Sequence, residues 1–223
     1  MEFVGHPLLD RPQPSAGREQ LRSRFEIRSG ETAIGLLPGS RTKEVERILP
    51  AMAASAALIK QKIPSAVFFL VQSPNVPKEI YEKILQAQPS VSVRKLENQA
   101  GLFRDAVTAM DFALIASGTA TLEAALLGTP FFLLYKASWT TYIIGRKLVR
   151  VPFLGLVNLL AGKQVVPEFI QNLNPASIAH QAAAFLQNPK AAKEMKKEFE
   201  AVKRQLGGPG ASGKAAQEIL KNH

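Results

Sequence analysis

Asp111-Phe-Ala-Leu-Ile-Ala-Ser-Gly-Thr-Ala-Thr-Leu-Glu-Ala-Ala-Leu-Leu-Gly128 reads as a strand, a corner of small residues and a helix. Asp111 to Ala116 is a strand whose apolar run lacks the in–out alternation of a half-exposed one, so it should be covered on both faces. Thr119 to Leu127 is a helix, closed by Gly128 as the residue after its C-cap. The same unit recurs on both sides. Ala33 to Leu37, ended by Pro38-Gly39, is a buried strand. Lys43 to Lys62 is a helix with Val45, Ile48, Leu49, Met52 and Ala56 on one side, and Pro50 starts or kinks part of it. Ala66 to Val71 is a strand, Lys78 to Gln88 a helix with Ile80, Ile84 and Leu85 inward, Val91 to Arg94 a strand and Gln99 to Ala109 a short helix. Phe131 to Tyr135 is a fifth strand and Trp139 to Val149 a helix. After Asn174 only helices follow, over 175–187 and 189–206. Gly207-Gly-Pro-Gly-Ala-Ser212 is a flexible break, and Ser212 is the expected N-cap of a last helix running to about Asn222.

Apolar strands alternating with helices predict an α/β fold: a Rossmann-like, doubly wound parallel sheet with right-handed crossovers and additional C-terminal helices. Ligands of such sheets bind at the carboxyl ends of the strands. Residues 1–31, rich in Pro, Arg and polar groups, read as a linker. Residues 32–206 form the domain, and 207–223 a C-terminal linker and helix.

The chain has 223 residues, 46% of them apolar, enough for one domain with a real core. It has no cysteine, which excludes disulfides and thiolate metal sites. His6, His180 and His223 are too scattered to suggest a metal site. The opening MEFVGHPLLD lacks the basic and apolar regions of a signal peptide, and no uninterrupted apolar stretch is long enough to span a bilayer. A cytoplasmic location is the expectation. The net charge of +10 fits nucleic acid, anionic lipid or a phosphorylated small molecule, and equally a solvated basic surface. No RNA-binding aromatic motif, helix-turn-helix signature or basic zipper appears, so nucleic acid is not an expected partner.

Two corners carry chemistry. In Leu37-Pro-Gly-Ser-Arg-Thr-Lys-Glu44, Gly39 permits close approach to the backbone, Ser40 and Thr42 offer donors at a helix N-terminus, and Arg41 can pair with a phosphate. The set suits a diphosphate; a tight turn with a solvated Arg fits as well. It is not a Walker A loop, since Gly-Lys-Ser/Thr is absent at the required spacing. In Ala116-Ser-Gly-Thr-Ala-Thr-Leu-Glu123, Ser117, Gly118, Thr119 and Ala120 present N–H groups and hydroxyls at a helix start. Glu123, one turn after Thr119, can accept two hydrogen bonds from a ribose diol. It can also simply complement the helix dipole. Two such corners on one sheet make a nucleotide site more credible than either alone.

Two further stretches stay open. Asn158, in the loop Leu156-Val-Asn-Leu-Leu-Ala-Gly162, either satisfies backbone groups or reads a base or sugar through its amide. Trp139 to Phe153 mixes Trp139, Tyr142, Ile143 and Ile144 with Arg146, Lys147 and Arg150. That suits an anionic membrane surface or a core-packed crossover helix. Asp occurs only at 10, 105 and 111, so no Asp-x-Asp pair exists to hold a metal-bound sugar diphosphate. No metal and no cofactor are expected.

Val4-Gly-His-Pro-Leu-Leu-Asp10, Leu36-Leu-Pro-Gly-Ser-Arg41 with Glu44-Val45, Ala116 to Ala125 with Gly128-Thr-Pro130, and Val157-Asn-Leu-Leu-Ala-Gly162 with Val166-Pro-Glu168 occur in order. The set resembles the lipid-A-disaccharide synthases, over nearly the whole chain. The resemblance implies the donor-binding domain of a two-domain, GT-B type glycosyltransferase. It implies transfer of 2,3-diacylglucosamine from UDP-2,3-diacylglucosamine to 2,3-diacylglucosamine 1-phosphate (lipid X), giving a disaccharide 1-phosphate and UDP. It further implies that the reaction is inverting and occurs at the cytoplasmic face of the inner membrane, with an anionic surface as partner. Gly39, Ser40 and Arg41 would hold the diphosphate. Ser117, Gly118, Thr119, Ala120 and Thr121 would line the donor pocket, with Glu123 on the ribose and Asn158 helping to bind the donor. Family members carry another Rossmann-like domain ahead of the Val-Gly-His segment, so 1–31 becomes an interdomain linker and 32–206 the UDP-sugar-binding domain. The acceptor site and general base belong to the other half, supplied in cis or in trans. The 223-residue chain should therefore bind UDP or UDP-sugar weakly without turning it over. A homodimer is compatible. The other readings are a non-catalytic UDP-sugar-binding module from a split gene and a UDP-sugar epimerase-like protein.

Overall fold

A computed structural model describes residues 4–88, 91–97, 101–137 and 152–221. Six parallel strands form one sheet: β1 (Thr32–Leu37), β2 (Ala66–Gln72), β3 (Val93–Glu97), β4 (Phe112–Ala116), β5 (Phe131–Tyr135) and β6 (Glu168–Ile170). Their order is β3-β2-β1-β4-β5-β6. The chain builds outward from β1 to one edge, then returns to lay β4 on the other side of β1. This is the doubly wound arrangement expected from the sequence.

The helices cover the sheet's faces because their apolar residues recur every third or fourth position. α2 (Thr42–Lys62) buries Val45, Ile48, Leu49, Met52, Ala56 and Ile59, and it runs unbroken through Pro50. α3 (Lys78–Gln86), α4 (Leu102–Ala109) and α5 (Thr119–Leu126) follow β2, β3 and β4. α7 (Pro175–Leu186) and α8 (Pro189–Gln205) start at Asn174 and Asn188, whose side chains cap their first N–H groups. α7 sends Phe185 beneath the sheet against Phe112 and Phe132, and the latter two rings meet edge to face at 4.9 Å. Gly35 keeps the centre of the sheet thin. A Cβ there would lie 2.4 Å from the Met110 sulfur, so any side chain must displace the Met110 side chain.

Several local expectations change. β3 begins at Val93, two residues late, because its register is set by β2, pairing Phe68 with Val93 and Gln72 with Glu97. It is an edge strand with weak burial, which blurs its sequence signal. α4 starts at Leu102 among the described residues. The helix expected over Trp139–Val149 lies outside the described residues. The stretch around Asn158 is a short helix, α6 (Leu156–Ala161), rather than a loop. β6 was not expected; its three residues are too few to show a pattern and exist through pairing with β5.

The proline-rich segment 1–31 is more structured than its composition suggests. A 3-10 turn at Pro7–Asp10 and helix α1 (Arg18–Arg24) carry Leu8 and Leu21 into the core. Arg18 and Arg22 of α1 grip Asp111 at the start of β4, while Asp111 also accepts the Ala33 N–H at 2.7 Å. At the far end, α9 (Ala211–Lys221) is not capped by Ser212. Asp10 caps it instead, accepting from the N–H groups of Gly210, Ala211 and Ser212 and from the Ser212 hydroxyl. The partner is two hundred residues away in sequence, which no local pattern reveals.

The bonds from Ser212 and Gly210 hold the Asp10 carboxyl at about 2, below its ordinary value of 3.8. A lowered folded-state value means the cap stabilises fully above about pH 4 and is lost as pH falls through 2. Asp10→Ala should lower the melting temperature at pH 7. In circular-dichroism melts its deficit should narrow steadily between pH 4 and pH 2.

Candidate functional site

The return of the chain across β1 leaves the carboxyl ends of β1 and β4 side by side, with Leu37 paired to Ile115. The two corners singled out from sequence therefore meet at the point where the strand order reverses. There they line one open cleft of about 1070 Å³.

The first corner is shaped by Gly39, whose φ of 108° is unfavourable for a residue with a Cβ and whose Cβ would also strike the Glu44 side chain at 2.6 Å. Arg41 is the N-cap of α2, with its side chain 82% exposed. Glu44 bends back from the first turn of α2. Its carboxylate accepts the Ser40 N–H at 3.3 Å and one Arg41 nitrogen at 3.1 Å. The corner thus already holds an anionic oxygen, as exposed N–H groups at a helix start favour.

The second corner runs from β4 into α5. Ser117, Gly118, Thr119 and Ala120 line the cleft beside Gly39, Ser40 and Arg41. Thr121 is buried, its hydroxyl donating to the Gly118 carbonyl at 2.7 Å, so it shapes the turn from behind. Glu123 reaches the cleft wall one turn into α5. It is buried, with Arg104 Nη1 donating to Oε1 and Arg11 Nη1 to Oε2, each at 2.9 Å. A buried carboxylate is tolerable only with such partners. Asp105 stands next to it in the wall, accepting from the Ser15 N–H at 2.7 Å and from Arg24 at 3.1 Å.

Arg11, Ser15, Arg24, Arg104 and Asp105 are among the cleft residues that sequence reasoning missed. Arg104 and Asp105 left a faint signal, an adjacent charged pair inside a short apolar helix. Arg11 left none, since its partner is 112 residues away.

Asn158 is not among the residues lining the cleft. It is fully buried, its Oδ1 accepting from Val165 N–H at 2.7 Å and Val166 N–H at 2.9 Å. Its Nδ2 donates to the Val166 carbonyl and to Glu168 Oε1, both at 2.8 Å. Both ends of the amide are engaged, so it pins the turn leading into β6. Of the basic and aromatic stretch 139–153, all but its last two residues lie outside the described residues. Among the described residues no helix is long and apolar enough to cross a membrane.

The architecture is a Rossmann-like α/β fold, and solved glycosyltransferases and a UDP-sugar epimerase share it. WaaG, a glycosyltransferase involved in lipopolysaccharide biosynthesis, superposes with a TM-score of 0.64 at 14% identity, over 93% of this chain and 52% of WaaG. Anabaena HepE in complex with UDP-glucose gives 0.64 at 14% identity over 98% of this chain and 56% of that one. A UDP-GlcNAc 2-epimerase from Neisseria meningitidis bound to UDP-GlcNAc gives 0.61 at 18% identity, covering 92% and 49%.

A family model described as lipid-A-disaccharide synthetase matches residues 1–219, and the chain belongs to that family. It is 43% identical to the lipid-A-disaccharide synthase of Syntrophus aciditrophicus over 99% of this chain and 57% of that protein. It is 34% identical to that of Persephonella marina over 98% and 58%. The chain thus spans a little over half the length of these relatives.

Replacing Asn158 by Ala orphans the buried Val166 N–H and the half-buried Val165 N–H and should cost about 2–3 kcal/mol, at roughly 1–3 kcal/mol for a fully buried group and less for a wetter one. Urea denaturation of Asn158→Ala measures that loss.

Proposed function

We propose that this chain is the donor-binding half of a lipid-A-disaccharide synthase and takes UDP-2,3-diacylglucosamine in the cleft between the β1 and β4 corners. The carrying observation is the adjacency of those corners at the strand-order reversal. Gly39, Ser40 and Arg41 bind the diphosphate, whose oxygens take the place now held by Glu44. Ser117, Gly118, Thr119 and Ala120 close the other side, with Thr121 holding their turn. Glu123 accepts the ribose hydroxyls. Asn158 contributes by fixing the segment before β6.

The acceptor hydroxyl of lipid X displaces UDP from the sugar's anomeric carbon with inversion. Arg41 and the N-termini of α2 and α5 take the charge that develops on the departing diphosphate, without a metal. No carboxylate or imidazole on this cleft is assigned to deprotonate the acceptor. That base is expected on a second Rossmann-like domain, joined through residues 1–31 in cis or supplied in trans. On this reading the reaction occurs at the cytoplasmic face of the inner membrane. The second reading, a non-catalytic UDP-sugar-binding module, shares the same cleft. An epimerase-like activity draws only on the fold likeness and is disfavoured by the family match.

Calorimetry should show one UDP per chain, with Arg41→Ala weakening it about tenfold through loss of a charge-assisted contact. A flat titration of the unmodified chain would remove the proposal. Co-expression with the N-terminal half of a relative should restore disaccharide synthesis from UDP-2,3-diacylglucosamine and lipid X; binding without restored synthesis favours the non-catalytic module.

A further inference from the structure

Arg11 and Arg104 have no part in the donor site just described, yet both end on Glu123. Their surroundings differ. The Arg104 side chain is 10% exposed and the Arg11 side chain 52%. Arg104 therefore meets Oε1 from the buried part of the cleft wall, in a nearly dry pair that holds the carboxylate's direction. Its Nε is buried and finds no partner among the described residues, so its hold on the fold runs largely through Glu123. Arg11 meets Oε2 from the more exposed side of the cleft lining and takes up one of the two carboxylate oxygens.

The segment carrying Arg11 does not depend on that contact. Ser15 is fastened to Asp105 through its N–H and hydroxyl, Arg24 also reaches Asp105, and α1 is bound to Asp111. Arg11 can swing away while the wall stays in place.

We propose that Arg104 is a positioning residue that aims Glu123 at the ribose, and that Arg11 is a displaceable cover over the same carboxylate. The inference rests on the donor-site reading above. A ribose offers two neighbouring hydroxyl donors to a carboxylate, whereas a 2′-deoxyribose offers one. A carboxylate held rigidly by Arg104 rewards the full diol, and the diol replaces the bond that Arg11 gives up. The site accordingly selects ribonucleoside over 2′-deoxyribonucleoside diphosphates.

Titration of the 223-residue chain with UDP and with 2′-deoxy-UDP tests this. The unmodified chain should prefer UDP by about tenfold or more, the value of a hydrogen bond to a charged group. Arg11→Gln should tighten UDP about two- to fivefold, as expected for removing a half-exposed ion pair that competes with the ligand. Its preference over 2′-deoxy-UDP should persist. Arg104→Met should bring UDP down to the affinity of 2′-deoxy-UDP, while binding through the phosphate corners survives. A purely structural role would weaken both nucleotides equally. Arg104→Lys keeps the buried charge but lacks the rigid fork, and should at least halve the preference even if Arg104→Met does not fold. Weaker or unchanged UDP binding in Arg11→Gln, or an unchanged preference in the Arg104 variants, would overturn the inference and leave the donor site standing. No UDP binding by the unmodified chain would overturn both.

Discussion

The pairing of β4 with β1 is the constraint on which the rest of the molecule hangs. Ile34 lies beside Phe112 and Leu37 beside Ile115. Because β2 already occupies β1's other edge, the chain must cross back over the sheet before β4 can dock. That reversal parts the helices after β1 and β4 to opposite faces and opens a crevice between their starts. Gly35 allows the close packing at this seam, and Asp111 joins it to α1 through two arginines. Loss of this pairing would separate Arg41 from Glu123, whatever each corner's own geometry.

The fold class was legible because it follows from local composition. Apolar runs such as Phe112–Ala116, alternating with amphipathic helices such as α2, state a parallel two-layer-covered sheet directly. Strand order was not written in any run; it emerges from long-range packing. The corners were readable for the same reason as the strands, since small residues and donors stand just where a strand meets a helix. What escaped was set by distant contacts. β6 exists only against β5, Asp10 finds its partner across nearly the entire chain, and Arg11 reaches Glu123 through tertiary structure alone. Asn158 was visible as a polar residue in an apolar setting, but only coordinates show that both ends of its amide are taken by Val165, Val166 and Glu168.

The cleft wall carries buried charge beside its apolar packing. Glu123 and Asp105 are each nearly sealed from solvent, and each is compensated from two sides. Such arrangements gain little net stability, because desolvation offsets much of the attraction. They do punish misplacement, since an unpaired carboxylate at either position would be costly. The wall is therefore defined sharply even where it faces water.

The clamp between the start and finish of the chain has a mechanical meaning. His6 donates to the Leu206 carbonyl at 3.1 Å, and Asp10 grips the first turn of α9 a few residues further on. A pull applied at residues 4 and 221 would load these few bonds first and peel them one after another. The strands of the sheet would carry no tension until the clamp had opened, so the molecule should yield at low force before it resists at high force.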